Sequence, residues 1–170
     1  MSWKFYEGLV RKHGRHGLLV DTNLLMLFLV GTIDPKYISH FKITANHGFT
    51  EQDFLLLASL LKKFQRLVTT PHILAEVSNH ADKFKEHSRS RIFACLASMV
   101  EQLDEQCEPS KSITKTEAFL KFGLTDAAIC ILSARHLLVL TVDFPLAGYL
   151  QKKGIAVINF NNLRRLNWDP

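Results

Sequence analysis

The chain is 170 residues long and 47% hydrophobic, the size of one domain and enough to bury a real core, α/β or all-α. Its formal net charge of +5, from 21 Lys and Arg against 16 Asp and Glu, points weakly to a polyanionic partner such as nucleic acid. Three scattered cysteines, Cys95, Cys107 and Cys130, argue against a disulfide framework or a zinc knuckle, and the longest apolar run, Leu24 to Val30, is too short to span a bilayer.

No repeat, low-complexity tract or Pro/Gly/Ser linker divides the chain, so residues 1–170 are expected to form a single domain. Residues 1–16 read as a basic N-terminal extension with Lys4, Arg11, Lys12 and Arg15. It lacks the apolar core of a secretory signal, which with unpaired cysteines implies a cytoplasmic protein. Leu18-Leu19-Val20 reads as a buried strand closed by Asp21. Thr50-Glu51-Gln52-Asp53 resembles a capping box opening a helix that carries Phe54, Leu57, Leu61 and Phe64 on one side and ends near Arg66. Leu67 to Thr70 is β-branched and feeds a helix through Pro71. Ile92, Leu96, Met99, Val100 and Leu103 mark another helix, and Leu124 to His136 one more. Leu137 to Val142, closed by Asp143, and Ile155 to Ile158, approached through Gly154, complete the strands, leaving 161–170 as a C-terminal tail. This alternation implies an α/β fold with a mainly parallel sheet and helices on both faces.

In such a sheet ligands bind beyond the carboxyl ends of the strands. Asp21 and Asp143 each follow the last apolar residue of a predicted strand, so both carboxylates project from the same edge. Asp126 opens a helix after Gly123-Leu124-Thr125, and Glu76 lies on the margin of a buried helical face formed by Ile73, Leu74 and Val77. Taken alone, Asp126 is also explained as a helix-start acid favoured by the dipole, and Glu76 as a solvated surface acid. Converging carboxylates repel one another unless a cation neutralises them, and all-oxygen donors favour Mg²⁺ or Mn²⁺ over zinc. Such a site suits phosphodiester chemistry, because the ion acidifies a bound water and stabilises the leaving oxygen.

Leu18-Leu19-Val20-Asp21-Thr22-Asn23, a helical Glu76, Gly123-Leu124-Thr125-Asp126-Ala127-Ala128-Ile129 and Leu140-Thr141-Val142-Asp143 resemble, in this order, the acidic motifs of PIN-domain nucleases. The likeness runs from about Gly17 to Phe160. It implies a three-layer α-β-α fold and a metal-dependent endoribonuclease in which Asp21, Glu76, Asp126 and Asp143 hold one or two Mg²⁺ or Mn²⁺ ions. Thr22, Asn23 and Thr141 fall where the family often places polar residues supporting the metal shell. PIN toxins are commonly dimeric and held inactive by an antitoxin, so the resemblance admits a homodimer and an antitoxin or other regulatory protein as partners. Asp21 and Glu76 are 55 residues apart (76 minus 21), more than in the compact toxins, and the extra segment runs roughly from Asp34 to Thr50.

Rival readings attach to several of these residues. His72, Glu76 and His80 are spaced by four and could share a nitrogen-rich metal site. Asp21-Thr22-Asn23 has some likeness to an aspartate-nucleophile phosphatase, with Asn23 in place of the second aspartate. Lys83, Lys85, Arg89 and Arg91, with His80 and His87 among them, either guide an RNA backbone or form a solvated helix face. Arg11, Lys12, His13, Arg15 and His16 could act likewise, and Phe41, Phe49 and Phe54 are stacking surfaces or core. The rival from another class is a catalytically inactive PIN-fold module that binds RNA or protein; retention of four mutually repelling acids argues against it.

Overall fold

A computed structural model describes residues 2–84 and 86–168, with the side chains of 86, 87, 167 and 168 left aside. The chain opens with α1 (Trp3–His13), β1 (Leu18–Val20) and α2 (Thr22–Ile33). A short 3-10 turn (Pro35–Tyr37), α3 (Lys42–Asn46) and α4 (Glu51–Leu61) lead to β2 (Leu67–Thr69). Next come α5 (Pro71–Ala81), α6 (Glu86–Val100), β3 (Asp104–Glu105), α7 (Ser110–Ile113) and α8 (Glu117–Ser133). The chain closes with β4 (Leu138–Thr141), α9 (Phe144–Lys152), β5 (Val157–Asn159) and α10 (Phe160–Trp168).

The five strands form one sheet in the order β3-β2-β1-β4-β5, and every pairing is parallel. Strands β1 and β4 lie at its centre with Leu18 facing Leu138 and Val20 facing Leu140, all fully buried. Burial on both faces is why these strands read as unbroken apolar runs rather than alternating ones. Helices flank the sheet, and α2, apolar on every side, packs against α4, α5 and α6. At its crossing with α4 a methyl group on Gly31 would overlap the Phe54 ring, so only glycine permits that approach. Among the described residues no helix is long and apolar enough to cross a membrane.

The expected capping box is present, with the Thr50 N–H donating to Asp53 Oδ2 at 2.8 Å and the Asp53 N–H donating back to Thr50 Oγ1 at 3.3 Å. Helix α4 ends at Leu61, short of the expected end near Arg66, and leaves Phe64 beyond it. Four further features differ from the expectation. Residues 1–16 are not an extension: Tyr6 and His13 are buried and Leu9 and Val10 pack on the core, a helical stripe that the surrounding basic residues obscure. Likewise 161–168 are not a tail but continue α10, which buries Phe160 and Leu163; Asp169 and Pro170 lie outside the described residues. The helix expected from Leu124 is preceded by a further helical stretch from Glu117, separated from it at Gly123, whose φ of 81° suits glycine. Strand β3 has no apolar run to announce it, since its two residues are polar and pair at the sheet edge.

Candidate active site at the carboxyl edge of the sheet

From β1 the chain moves outward to β2 and β3, then returns to place β4 on the other side of β1. The strand order therefore reverses between β1 and β4, and sheets of this kind bind ligands beyond the carboxyl ends of the strands at such a point. Asp21 caps α2 directly after β1, and Asp143 caps α9 just after β4. A backbone bond of 3.0 Å from the Asp21 N–H to the Leu140 carbonyl fixes one strand end against the other.

Asp21 is 5% exposed. Its Oδ2 accepts the Thr141 hydroxyl at 2.6 Å, and its Oδ1 accepts the Asn23 N–H at 3.4 Å. Burial holds this carboxyl above the usual range; the bonds from Thr141 and Asn23 oppose the rise, and the charges of Asp143 and Glu76 add to it. Thr141 also accepts the Asp143 N–H at 3.0 Å, while Asp143 Oδ1 accepts the Leu146 N–H at 2.7 Å as the cap of α9. One hydroxyl thus links the two strand-end acids.

Glu76, on α5, is fixed at both oxygens. Thr22 donates to Oε2 at 2.8 Å, and Thr125 donates to Oε1 at 2.6 Å. Asp126 stands next to Thr125 in the turn that restarts α8 after Gly123. Its carboxyl is pushed up to about 7, first by burial and then by the charges of Asp21, Asp143 and Glu76. Among the described residues its carboxylate has no hydrogen-bond donor, and none of the ion pairs involves any of the four acids. One turn further on, burial and Asp126 push the Cys130 thiol up to about 12, which makes it unreactive.

Asp21 and Asp126 therefore sense the charges of Asp143 and Glu76, and Asp126 senses that of Asp21 as well. Thr22 and Thr141 support them through hydroxyls, and Asn23 through its backbone N–H. Thr125 joins this support, although sequence reasoning assigns it no role; its place immediately before Asp126 is the available signal. Among the described residues no three His, Cys, Asp or Glu side chains form a ready-made cage for a metal ion. The donors nonetheless fit a hard cation such as Mg²⁺, which keeps several of its waters and takes few carboxylates directly.

The nitrogen-rich alternative finds no support, because His72 Nε2 faces the Ser110 hydroxyl at 3.4 Å and His80 Nδ1 faces Lys83 Nζ at 3.4 Å. Of the basic stretch, Lys83 is exposed and Lys85 lies outside the described residues. Arg89 is engaged with Asp82 at 2.6 Å and lies over the Phe93 ring, and Arg91 donates to the Ile33 carbonyl at 3.1 Å. These two arginines are thus occupied within the protein. Arg15 and His16 precede β1 and so lie at the opposite edge of the sheet, and His13 is buried with Nδ1 2.9 Å from the His136 carbonyl. Phe49 is core, Phe54 packs beside Phe28, and Phe41 stacks on Phe84 with ring centroids 4.0 Å apart.

No protein-family model matches the chain, and no curated protein matches it.

Proposed function

We infer that the protein is a PIN-type, metal-dependent endoribonuclease that hydrolyses RNA phosphodiester bonds at the Asp21, Glu76, Asp126 and Asp143 cluster. The observation that carries this reading is the meeting of the acids at the strand ends, where Thr141 links Asp21 to Asp143 and Thr22 and Thr125 hold Glu76, beside an Asp126 that burial and like charge raise. A carboxylate crowd without a cation costs stability, and a site of this kind is accounted for by a charge taken up from solution. Asp21, Glu76, Asp126 and Asp143 would hold Mg²⁺ or Mn²⁺, which supplies charge neutralisation and Lewis-acid polarisation of the scissile phosphate.

The chain's own residues divide the remaining work. Thr141 orients Asp21 and Asp143 together, while Thr22 and Thr125 orient Glu76 from α2 and α8. Asp126 Oδ, titrating near neutrality, holds a proton in the unloaded site and releases it when positive charge enters. RNA as substrate agrees with the net charge of +5. Free cysteines agree with a cytoplasmic setting, where an antitoxin or other regulatory protein, or a second copy of the chain, would restrain the activity.

A second reading, an inactive PIN-fold module binding RNA or protein, draws on the lack of a ready-made metal cage among the described residues. Incubating a mixed RNA pool with the protein in Mg²⁺ or Mn²⁺, beside EDTA and Asp126→Asn controls, separates the two. Cleavage to 5′-phosphate and 3′-hydroxyl ends, lost in both controls, is expected. No cleavage by the intact fold would leave the binding module, and 2′,3′-cyclic phosphate ends would overturn the proposed chemistry.

A further inference from the structure

Apart from the four-acid cluster, a cleft of about 960 Å³ lies between the segment from Asp34 to Asn46 and the end of α5 with the turn that follows it. The segment is firmly built. Thr44 Oγ1 donates to the Ile38 and Phe41 carbonyls at 2.5 and 2.9 Å. Its far end is held by Arg164, which donates to the His47 and Gly48 carbonyls and to the buried Asp53.

Two kinds of group line the cleft. Phe41 and Phe84 stack on each other, and Tyr37, 38% exposed, lines the same cleft. Lys36, Lys42 and Lys83 are all exposed and, among the described residues, pair with no carboxylate. Asp34 is the one acid among the described residues of the lining, and its Oδ1 already accepts the Lys36 N–H at 3.0 Å. His80 lines the cleft four residues after Glu76 on α5, about 6 Å along one helix face. The cleft therefore reaches within about one helical turn of Glu76.

We propose that this cleft binds an unpaired nucleotide of single-stranded RNA flanking the scissile bond, with its base against Tyr37, Phe41 and Phe84 and its phosphates beside Lys36, Lys42 and Lys83. Aromatic faces interleaved with lysines that no carboxylate neutralises match an unpaired base on a polyanionic strand, whereas a paired base offers no face to stack. The inference rests on the nuclease reading of the neighbouring acids and assigns a use to the segment that lengthens the Asp21–Glu76 spacing.

Binding is measured in EDTA with Asp126→Asn protein, so that no strand is cut, by fluorescence anisotropy of a short mixed-sequence RNA. Tyr37→Ala is expected to weaken binding by on the order of tenfold. Replacing Lys36, Lys42 and Lys83 with Ala should lower the slope of log affinity against log salt by about 0.7 for each phosphate no longer neutralised. The melting temperatures of these exposed-residue variants should stay at that of the Asp126→Asn protein. RNA binding that ignores all four substitutions, or duplex RNA competing as well as single strands, overturns the proposal, as does absence of RNA binding. Cutting by an active parent whose cleft variants bind normally would sink the cleft and spare the nuclease. Cleft-dependent binding by a parent that never cuts would do the reverse.

Discussion

The Thr141 hydroxyl donates to Asp21 Oδ2 at 2.6 Å and joins the ends of β4 and β1 at the point where the strand order reverses. Thr141→Val removes this bond, and with it the acceptor of the Asp143 N–H, but keeps the shape. It leaves a buried carboxylate short of a donor and should cost about 1–3 kcal/mol. Losing a bond that opposes the rise must lift the Asp21 carboxyl further above the usual range. The raised group favours folding in acid and loses that contribution as pH rises through its folded value. Urea unfolding should therefore show a larger deficit at about pH 8 than at about pH 4, and an equal deficit at both would detach the bond from Asp21's ionisation.

Asp126→Asn offers the converse case. The Asp126 carboxyl titrates at about 7 rather than at the ordinary aspartate value of 3.8, so the folded protein binds its proton more tightly than the unfolded chain does. Without metal, this contribution to stability is complete below about 4 and is lost as pH climbs to about 7. The Asn variant should match or exceed the parent's melting temperature at neutral pH in EDTA and show a flatter decline across that window. A variant clearly less stable than the parent would make Asp126 a structural helix-start acid.

Thr125→Val tests how Glu76 is held. Removing the donor to Oε1 should weaken Mn²⁺ binding by about 10- to 100-fold, as loss of supporting bonds to metal ligands does, and Thr125→Ser should restore it. Calorimetric titration reads this directly. Unchanged affinity in the Val variant would remove Thr125 from the site.

Asp53→Ala tests the clamp on the segment before α4. Asp53 is 1% exposed, bonded to Arg164 Nε at 2.9 Å and part of the α4 capping box, so its loss breaks a mostly buried ion pair together with the cap and should cost about 3–5 kcal/mol. Thermal unfolding within the experimental error of the parent would show that the pair carries little of the fold's stability.

Much of this arrangement is legible in sequence because local chemistry announces it. Asp21 and Asp143 end apolar strands, and Thr50 with Asp53 spells a capping box. What stays hidden depends on partners distant in sequence. Thr125 meets Glu76 across 49 positions and Arg164 meets Asp53 across 111, pairings that no periodicity reports. Helix α1 is hidden for another reason, since its buried stripe of Tyr6, Leu9, Val10 and His13 is thin among basic residues. Arg89 and Arg91 look free in sequence, but Asp82 and the Ile33 carbonyl occupy them.

The most direct measurement is the Mn²⁺ dependence of melting temperature for the parent and for Asp21→Asn, Glu76→Gln, Asp126→Asn and Asp143→Asn. If the four acids form one cation site, Mn²⁺ at about a hundredfold excess over its dissociation constant should stabilise the parent by roughly 2.7 kcal/mol. Each variant should gain much less. A parent that Mn²⁺ leaves unmoved, or four variants that respond as the parent does, would contradict the site.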